Sequence, residues 1–476
     1  MSGKRVFVVD AGGRGNAIAH AFARSGDVER VYVSPGNAGS EMIDKCRLAD
    51  LGGKAPKTIA EMLAFAGQEK IDLTFVGPEG YLSEGIVNSF QEAGLRILGP
   101  RSEAAVLENS KCAAKDLLKR LHVPVPPCEN FSDAAAAKEY ARRYCNEHPG
   151  RGLVVKADGL AAGKGSIVCS GPEEACSAIE RIMESPRLFG AAGDRIEIEE
   201  RLDGRELMFF ALSDGRTVLP LQSALDYKQA FAEDEAVAVR LFNKLSKNPC
   251  IDNNPNTGGM GGFSPHPWLD EELTERIMNK IVIPTVRGFK EATGHEYVGV
   301  IYFGLMISEE RQPSVLEINV RLGDPEAEVI LPRLETDFFR LCEATLDRRL
   351  DTISLQWSQD CCLGVCAISG RAIKPLSSGE GGERPGYPGE HYTNMPISGL
   401  EKVDPDVLVY HNGTAFAPDD GEASGKRKLF TTGGRVLTLV ARGKSLAEAR
   451  VRAYDNIKRI RFNGMRYRKD IGLGYV

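Results

Sequence analysis

The stretch "SVLEINVRLGDPE" sets Glu317, Asn319 and Arg321 at alternate positions. Alternate side chains share one face of a strand, so these three form a polar edge while Leu316, Ile318 and Val320 point into a core. A carboxylate and a carboxamide two residues apart offer hard oxygens of the kind that hold Mg2+ (or Mn2+), with water and phosphate completing the shell. An arginine next in line can grip a carboxylate or a phosphoryl group through two hydrogen bonds. The polar solvent face of a half-buried strand would read the same way.

A second stretch, "VVKADGLAAGKG", places Lys156 before a glycine-rich turn and Gly163, Lys164 and Gly165 within it. It is not the G-x-x-x-x-G-K-[ST] loop, because Gly159 and Gly163 are one residue too close. Gly165 also stands where that loop carries a metal-holding hydroxyl. The β-branched "SIVCS" follows, so the glycines join strand to strand. Such a hairpin could close over a polyphosphate with its lysines and free backbone N–H groups, or could be a mobile surface turn.

Two further segments are open to two readings. "NPNTGGMGGFSP" carries Asn256, Thr257, Gly258, Gly259 and Met260 without hydrophobic period, as either filler or a backbone-lined binding loop. "IEIEERLDGRE" puts Glu199 and Glu200 at a strand end, with Leu202 and Glu206 after them. That junction suits an adenine edge and ribose hydroxyls, or a solvated acidic turn.

The elements that must carry these residues are α/β. The first hundred residues alternate strand and helix ("RVFVVD", "NAIAHAFARSG", "VERVYVSPG", "TIAEMLAFAGQEK", "IDLTFVG", "YLSEGIVNSFQEAG", "LRILGP"), predicting an open parallel sheet. Its ligand loops would be "DAGGRGN", "SPGNAGS" and "VGPEGY" at the strand ends. "GGRG" is not the dinucleotide fingerprint, and Ser34-Pro35-Gly36 stands where a ribose-binding acid belongs. "SEAAVLENSKCAAKDLLKRL" predicts one amphipathic helix, and "HVPVPP" opens a new unit. "RELMFFALSDGRTVLPL" predicts a hairpin around Asp214-Gly215, and "DEELTERIMNKIVIPTVRGFKEA" a long helix. From about 336 a third unit follows, with the Gly/Pro-rich "SSGEGGERPGYPGE".

Bulk properties narrow the function. A chain of 476 residues predicts about three domains. Net charge −6 with interspersed signs excludes nucleic acid as the main partner. The N-terminal apolar run is too short for a signal peptide and no run approaches a membrane span, which predicts a cytoplasmic protein and no membrane partner. Eleven cysteines include no C-x-x-C, so free buried thiols are expected, with "CCLGVC" a buried strand rather than a metal site.

The order of the segments carries more than any one of them. A lysine on a helix (Lys111), a lysine before a glycine flap, an acidic hinge and a late E-x-N-x-R strand resemble the ATP-grasp ligases. More narrowly, "GGR", "PGNAG", "VGPE", "NSK", "VKADGLAAGKG", "IEERLDGRE", "PNTGGMG", "EINVRLGDPE", "TTGGRVL" and "RKDIG" resemble the phosphoribosylamine–glycine ligase family, in family order along nearly the whole chain. The resemblance implies an N-terminal open parallel α/β domain (1–104, amine substrate) and a central ATP-grasp domain (105–335). A hairpin lid at about 124–192 lies within the latter, and a mixed α/β C-terminal domain (336–476) follows. It further implies an ADP-forming union of glycine with 5-phosphoribosylamine through glycyl phosphate, using ATP and Mg2+. Lys111, Lys156, Gly163, Lys164 and Gly165 would face the phosphates, and Glu199, Leu202 and Glu206 the adenosine. Glu317 and Asn319 would hold the metal. Arg321, Asp324, Asp226 and Lys228, with Asn256, Thr257, Gly258, Gly259 and Met260, would line the glycine and acyl-phosphate pocket. Gly12, Gly13, Pro35, Gly36 and Asn37 would approach the phosphoribosylamine. The expected partners are these small molecules, with the chain a monomer or weak homo-oligomer.

The chain departs from the family pattern at several points. Gly15-Asn16 stands for a usual Glu-His, Leu225 for a Gln, and Asn254 for a Gly; insertions fall at 229–253 and 371–384. These departures keep two alternatives in view: a paralogue ligating a different amine or carboxylate, and a nucleotide-binding scaffold without turnover.

Overall fold

The computed structural model describes residues 3–160, 165–184, 187–246, 254–374, 382–417 and 427–476. The first sheet is five-stranded and parallel. Cys46–Leu48 lies at one edge, then Val28–Pro35, Lys4–Asp10, Leu73–Val76 and Ile97–Leu98. Helices cover both faces, which is why "VFVV" runs apolar without alternation. The edge strand Cys46–Leu48, which pairs with Val31–Val33, is not readable from "DKCRLAD", a short and largely polar stretch.

Two expected helices are each two. The 102–120 stretch divides into Ser102–Asn109 and Lys111–Arg120. Ser110 Oγ accepts from the Ala113 N–H at 3.0 Å, capping the second helix and leaving Lys111 on its first turn. A cation there opposes the helix dipole but suits an anionic ligand. The 79–92 stretch divides at Gly85, whose φ of +83° lies in the left-handed region that favours glycine. By contrast 271–293 continues through a wide π turn at Met278–Val282, just before Pro284, whose nitrogen has no hydrogen to donate.

A four-stranded antiparallel sheet forms the middle of the molecule, in the order Val218–Pro220, Arg205–Asp214, Val298–Ile307, Pro313–Asn319. The last strand corrects the expected alternation. Glu317 pairs with Gly304 but Val315 with Leu305, so Leu316 is the extra residue of a bulge. Val315, Ile318 and Val320 enter the core, whereas Leu316 faces the cleft described below.

A smaller antiparallel sheet stands opposite: Cys128–Phe131, Ile196–Glu200, Leu153–Ala157, Ser166–Cys169. Helices Ala134–Glu147 and Pro172–Met183 pack small residues (Ala137, Ala141, Ala175, Ala178) against it. The glycine-rich turn therefore joins antiparallel strands, with Lys156 opposite Ser166. Gly163 and Lys164 lie outside the described residues.

The last sheet runs Leu225–Asp226, Gly261–Ser264, Cys361–Ser369, Arg435–Gly443, Leu408–His411, with Met465–Arg466 beside Cys361–Ser369. "CCLGVC" is its central buried strand. Its first two strands come from the middle of the chain. The segment bearing Asp226 and Lys228, and the 256–260 loop, thus hang from the edge of the C-terminal sheet. No helix among the described residues is long and apolar enough to cross a membrane.

Candidate active site

The two smaller sheets and the edge of the C-terminal sheet enclose a cleft of about 920 Å³. It collects Lys111, Lys156, Glu199, Leu202, Glu206, Asp226, Lys228, Asn256, Thr257, Gly258, Glu317, Asn319, Arg321 and Asp324 from distant parts of the chain.

The hairpin and the polar strand touch. Lys156 Nζ donates to the Leu316 carbonyl at 2.8 Å, the carbonyl exposed by the bulge, and pairs with Glu199 at 2.5 Å. Lys115, one turn beyond Lys111, pairs with the same Glu199 at 2.9 Å and donates to the Val315 carbonyl at 2.7 Å. Glu197 lies behind them, 3.7 Å from Lys156 and 4.0 Å from Lys115. Burial, only partly offset by the lysines, pushes its carboxyl up to about 7. Burial opposes ionisation of Glu199 too, but Lys156 and Lys115 outweigh it and hold that carboxyl low.

This pair makes a stability prediction. Folded Glu197 keeps its proton between its ordinary value of 4.5 and about 7, where the unfolded chain has lost it. Its contribution is therefore full in acid and is lost as pH rises through 7. Glu197→Gln abolishes that loss, so its urea midpoint should gain on wild type progressively between about pH 5 and about pH 7.5. An unchanged difference across that range would contradict it.

Glu317 and Asn319 fit a hard divalent ion. Burial disfavours the Glu317 anion, yet Lys228, Lys111 and Lys156 together hold it ionised well below the usual range. Lys228 Nζ lies 3.0 Å from Glu317 Oε1. Asn319 Oδ1 accepts from Arg321 at 3.1 Å, while its buried Nδ2 has no partner among the described residues. The donor set, one anionic and one amide oxygen at a phosphate-sized cleft, is what Mg2+ or Mn2+ prefers. Arg321 is anchored by Glu108 at 2.6 Å and Glu79 at 3.2 Å.

Other expected residues lie elsewhere. Met260 is in the core with Cys366 and Ile368, and Gly259 behind Asp226. Gly165 closes the hairpin, its carbonyl accepting from Ala157 at 2.8 Å. Gly12 adjoins the cleft through Asp324, which a Cβ there would meet at 3.2 Å, whereas Gly13 lies against the buried Glu328, which a Cβ would meet at 2.4 Å outside the cleft lining. Pro35 ends the second strand and Gly36 follows it, and Asn37 ties Ala11 and His411 carbonyls together at 2.8 and 2.6 Å.

The departures find local reasons. Leu225 packs in the core against Phe263, so its side chain does not shape the cleft. Asn16 binds Asn37, Ser40 and the His411 N–H, linking the first and last sheets. A side chain at Gly15 would meet Asp10, which pairs with Arg14 at 2.7 Å. Asn254 grips the Phe231 backbone at 3.0 and 2.9 Å, closing the base of the 229–253 insertion.

Sequence reading passed over Lys115, Arg14, Glu79, Glu108 and Arg435. Lys115 had a signal: it repeats Lys111 at i+4, on the same helix face. Arg14 and Arg435 sat inside matched motifs. Glu79 too closes the matched "VGPE", and Glu108 alone is brought in only by the tertiary fold. Arg435 Nη1 holds the Gly258 carbonyl at 2.7 Å and Asp324 Oδ1 at 2.8 Å, fastening the loop to the turn. Gly259 has φ +109°, and a Cβ there would stand 2.4 Å from Pro325 and 2.8 Å from Asp226 Oδ1. Gly259→Ala should therefore cost about 1–3 kcal/mol, read from urea unfolding; wild-type stability would refute the strain.

Two antiparallel sheets gripping a cleft with a lysine hairpin above a carboxylate strand define the ATP-grasp class. A biotin carboxylase from Campylobacter jejuni, solved as a β,γ-ATP complex, shares this fold with TM-score 0.64 over 99% of this chain and 94% of its own, at 16% identity. A phosphoribosylamine–glycine ligase from Thermotoga maritima superposes with TM-score 0.73 at 27% identity, covering 98% of this chain and 100% of its own. Residues 4–108, 109–327 and 384–474 match the N, ATP-grasp (A) and C domains of phosphoribosylglycinamide synthetase. Phosphoribosylamine–glycine ligases of Archaeoglobus fulgidus and Caldanaerobacter subterraneus are 46% and 40% identical, over 98% and 99% of this chain and 99% and 100% of theirs. The chain belongs to the phosphoribosylamine–glycine ligase family, and it is a ligase.

Proposed function

We propose that this protein joins glycine to 5-phosphoribosylamine, forming glycinamide ribonucleotide while ATP becomes ADP and phosphate. The observation that carries the reading is the convergence of Lys111, Lys156, Glu317 and Asn319 on one cleft, in a chain of this family.

In this reading Lys111, Lys156 and the hairpin glycines Gly163 and Gly165 with Lys164 face the triphosphate. Glu199, Leu202 and Glu206 surround adenosine. Glu317 and Asn319 hold Mg2+ or Mn2+, which when bound supplies charge neutralisation at the phosphates. A glycine carboxylate oxygen attacks the γ-phosphorus as its bond to ADP breaks, giving glycyl phosphate. The sugar amine then attacks that carbonyl, and phosphate leaves. Arg321, Asp324, Asp226, Lys228 and the 256–260 loop enclose the reacting carbonyl, while Gly12, Gly13, Pro35, Gly36 and Asn37 line the amine's approach. Activation comes from phosphorylation and positioning, so no nucleophilic triad is required. The hairpin excludes water that would hydrolyse the acyl phosphate.

The test is phosphate release by purified protein with ATP and magnesium. Release that requires both glycine and phosphoribosylamine supports the reading. Release only with another amine or carboxylate favours the paralogue, and none with any pair the scaffold.

A further inference from the structure

The helix that carries Lys111 is fastened to the hairpin sheet at two points. One turn into it, Lys115 reaches Glu199 at 2.9 Å. At its start, the Cys112 N–H donates to Asp158 Oδ1 at 3.1 Å. Asp158 stands two residues beyond Lys156, where the strand Leu153–Ala157 runs out into the glycine-rich turn. The Asp158 N–H donates to the Arg195 carbonyl at 3.0 Å, and Arg195 Nε lies 3.9 Å from Asp158 Oδ2. Both its backbone and its carboxylate are therefore held. The side chain is 8% exposed, and the cleft wall runs instead through Lys111, Lys156 and Gly159.

A helix start leaves N–H groups without intrahelical partners and carries partial positive charge. Here Ser110 Oγ takes the Ala113 N–H and Asp158 takes that of Cys112. Lys111 adds a full positive charge to the same turn, which a carboxylate offsets. We propose that Asp158 is a positioning residue for the nucleotide phosphates: it ties the first turn of the Lys111 helix to the root of the Lys156 hairpin, so that the two lysines meet the triphosphate at a fixed spacing. The inference rests on reading this cleft as the ATP site, and adds to that reading what keeps its two cations in register. Asp158 acts through Lys111 and touches no phosphate itself. Without the carboxylate, Lys115 is left as the pivot, and the helix start swings or frays, taking Lys111 with it. The adenosine end, at Glu199 and Leu202, keeps its place in the opposite part of the cleft. The Cys112 thiol agrees with a close carboxylate: burial first, and then the Asp158 charge, raise it well above the usual thiol range.

The experiment measures, by calorimetry with magnesium, the binding of a non-hydrolysable ATP analogue and of AMP to wild type, Asp158→Ala and Asp158→Asn. Asp158→Ala should bind the ATP analogue about 10-fold more weakly, with AMP within about twofold of wild type. Asparagine keeps an oxygen for the Cys112 N–H and caps helices about as well as aspartate, so Asp158→Asn should stay within about threefold of wild type for both nucleotides. A general lesion of the fold would weaken AMP and the ATP analogue alike. In a Lys111→Met background, Asp158→Ala should add less than about a twofold loss, because the residue it acts through is already gone. If Asp158→Ala does not fold, Asp158→Ser, whose hydroxyl is too short to reach the helix, must show the same split between the nucleotides. Unchanged affinity for the ATP analogue, equal weakening of both nucleotides, or full additivity with Lys111→Met overturns the inference. Failure of wild type to bind the ATP analogue would instead overturn the proposed function.

Discussion

Glu317→Ala should lower kcat/KM by about 1,000-fold or more, with the fold retained. Glu317 sits opposite Gly304, in a bulged strand whose neighbours Val315 and Ile318 are buried core residues. Its side chain contributes no apolar packing that the core needs. It contributes instead an anion held ionised in a cleft crowded with cations. Alanine removes the one anionic oxygen of the proposed metal site, and a bound metal is worth several kcal/mol of charge stabilisation, at about 1.4 kcal/mol per tenfold in rate. Steady-state ADP formation across a magnesium titration checks this. Near-normal activity at ordinary magnesium would refute the assignment of the strand.

Lys156→Met should be damaging in two separable ways. Activity should fall about 100- to 1,000-fold, because a preorganised cation aimed at a phosphate in a water-excluding cleft is lost. Stability should fall by about 3–5 kcal/mol, because Glu199 and Glu197 are left with Lys115 alone in a buried site. The second effect singles out this lysine. Lys111, which makes no ion pair among the described residues, should when changed to methionine lose activity at little cost in stability. Urea unfolding alongside ADP formation separates the two. Equal destabilisation by both variants would contradict the pairing described here.

The parts of the fold that declared themselves in sequence are those with strong local chemistry. The apolar runs of the first sheet, the turn at Asp214-Gly215 and the strand "CCLGVC" obey patterns set by neighbouring residues. What stayed hidden depends on partners far away in the chain. Leu316 looks like a core residue until its strand is laid beside Leu305 and Gly304, because a bulge shifts the phase of alternation. Ser110 ends one helix and starts another, which an amphipathic stripe running through both conceals. Glu108 has no local motif, and although Glu79 closes the matched "VGPE", only folding brings either of them to Arg321. The same holds for the mounting of Asp226 and Lys228 on a sheet completed by residues after 360. The candidate site was legible where residue type, spacing and order agreed, as in E-x-N-x-R and the lysine hairpin. Its supporting charges were not, since burial and ion pairing are tertiary facts.

The central claim is that the lysine-bearing hairpin and the E-x-N-x-R strand hold one nucleotide between them so that a carboxyl can be phosphorylated. A crystal structure with magnesium, glycine and a non-hydrolysable ATP analogue tests it most directly. The account places the triphosphate between Lys111, Lys156 and the oxygens of Glu317 and Asn319, with the γ-phosphoryl group facing the glycine carboxyl. A nucleotide bound outside this cleft, or phosphates that touch neither the hairpin nor that strand, would contradict it.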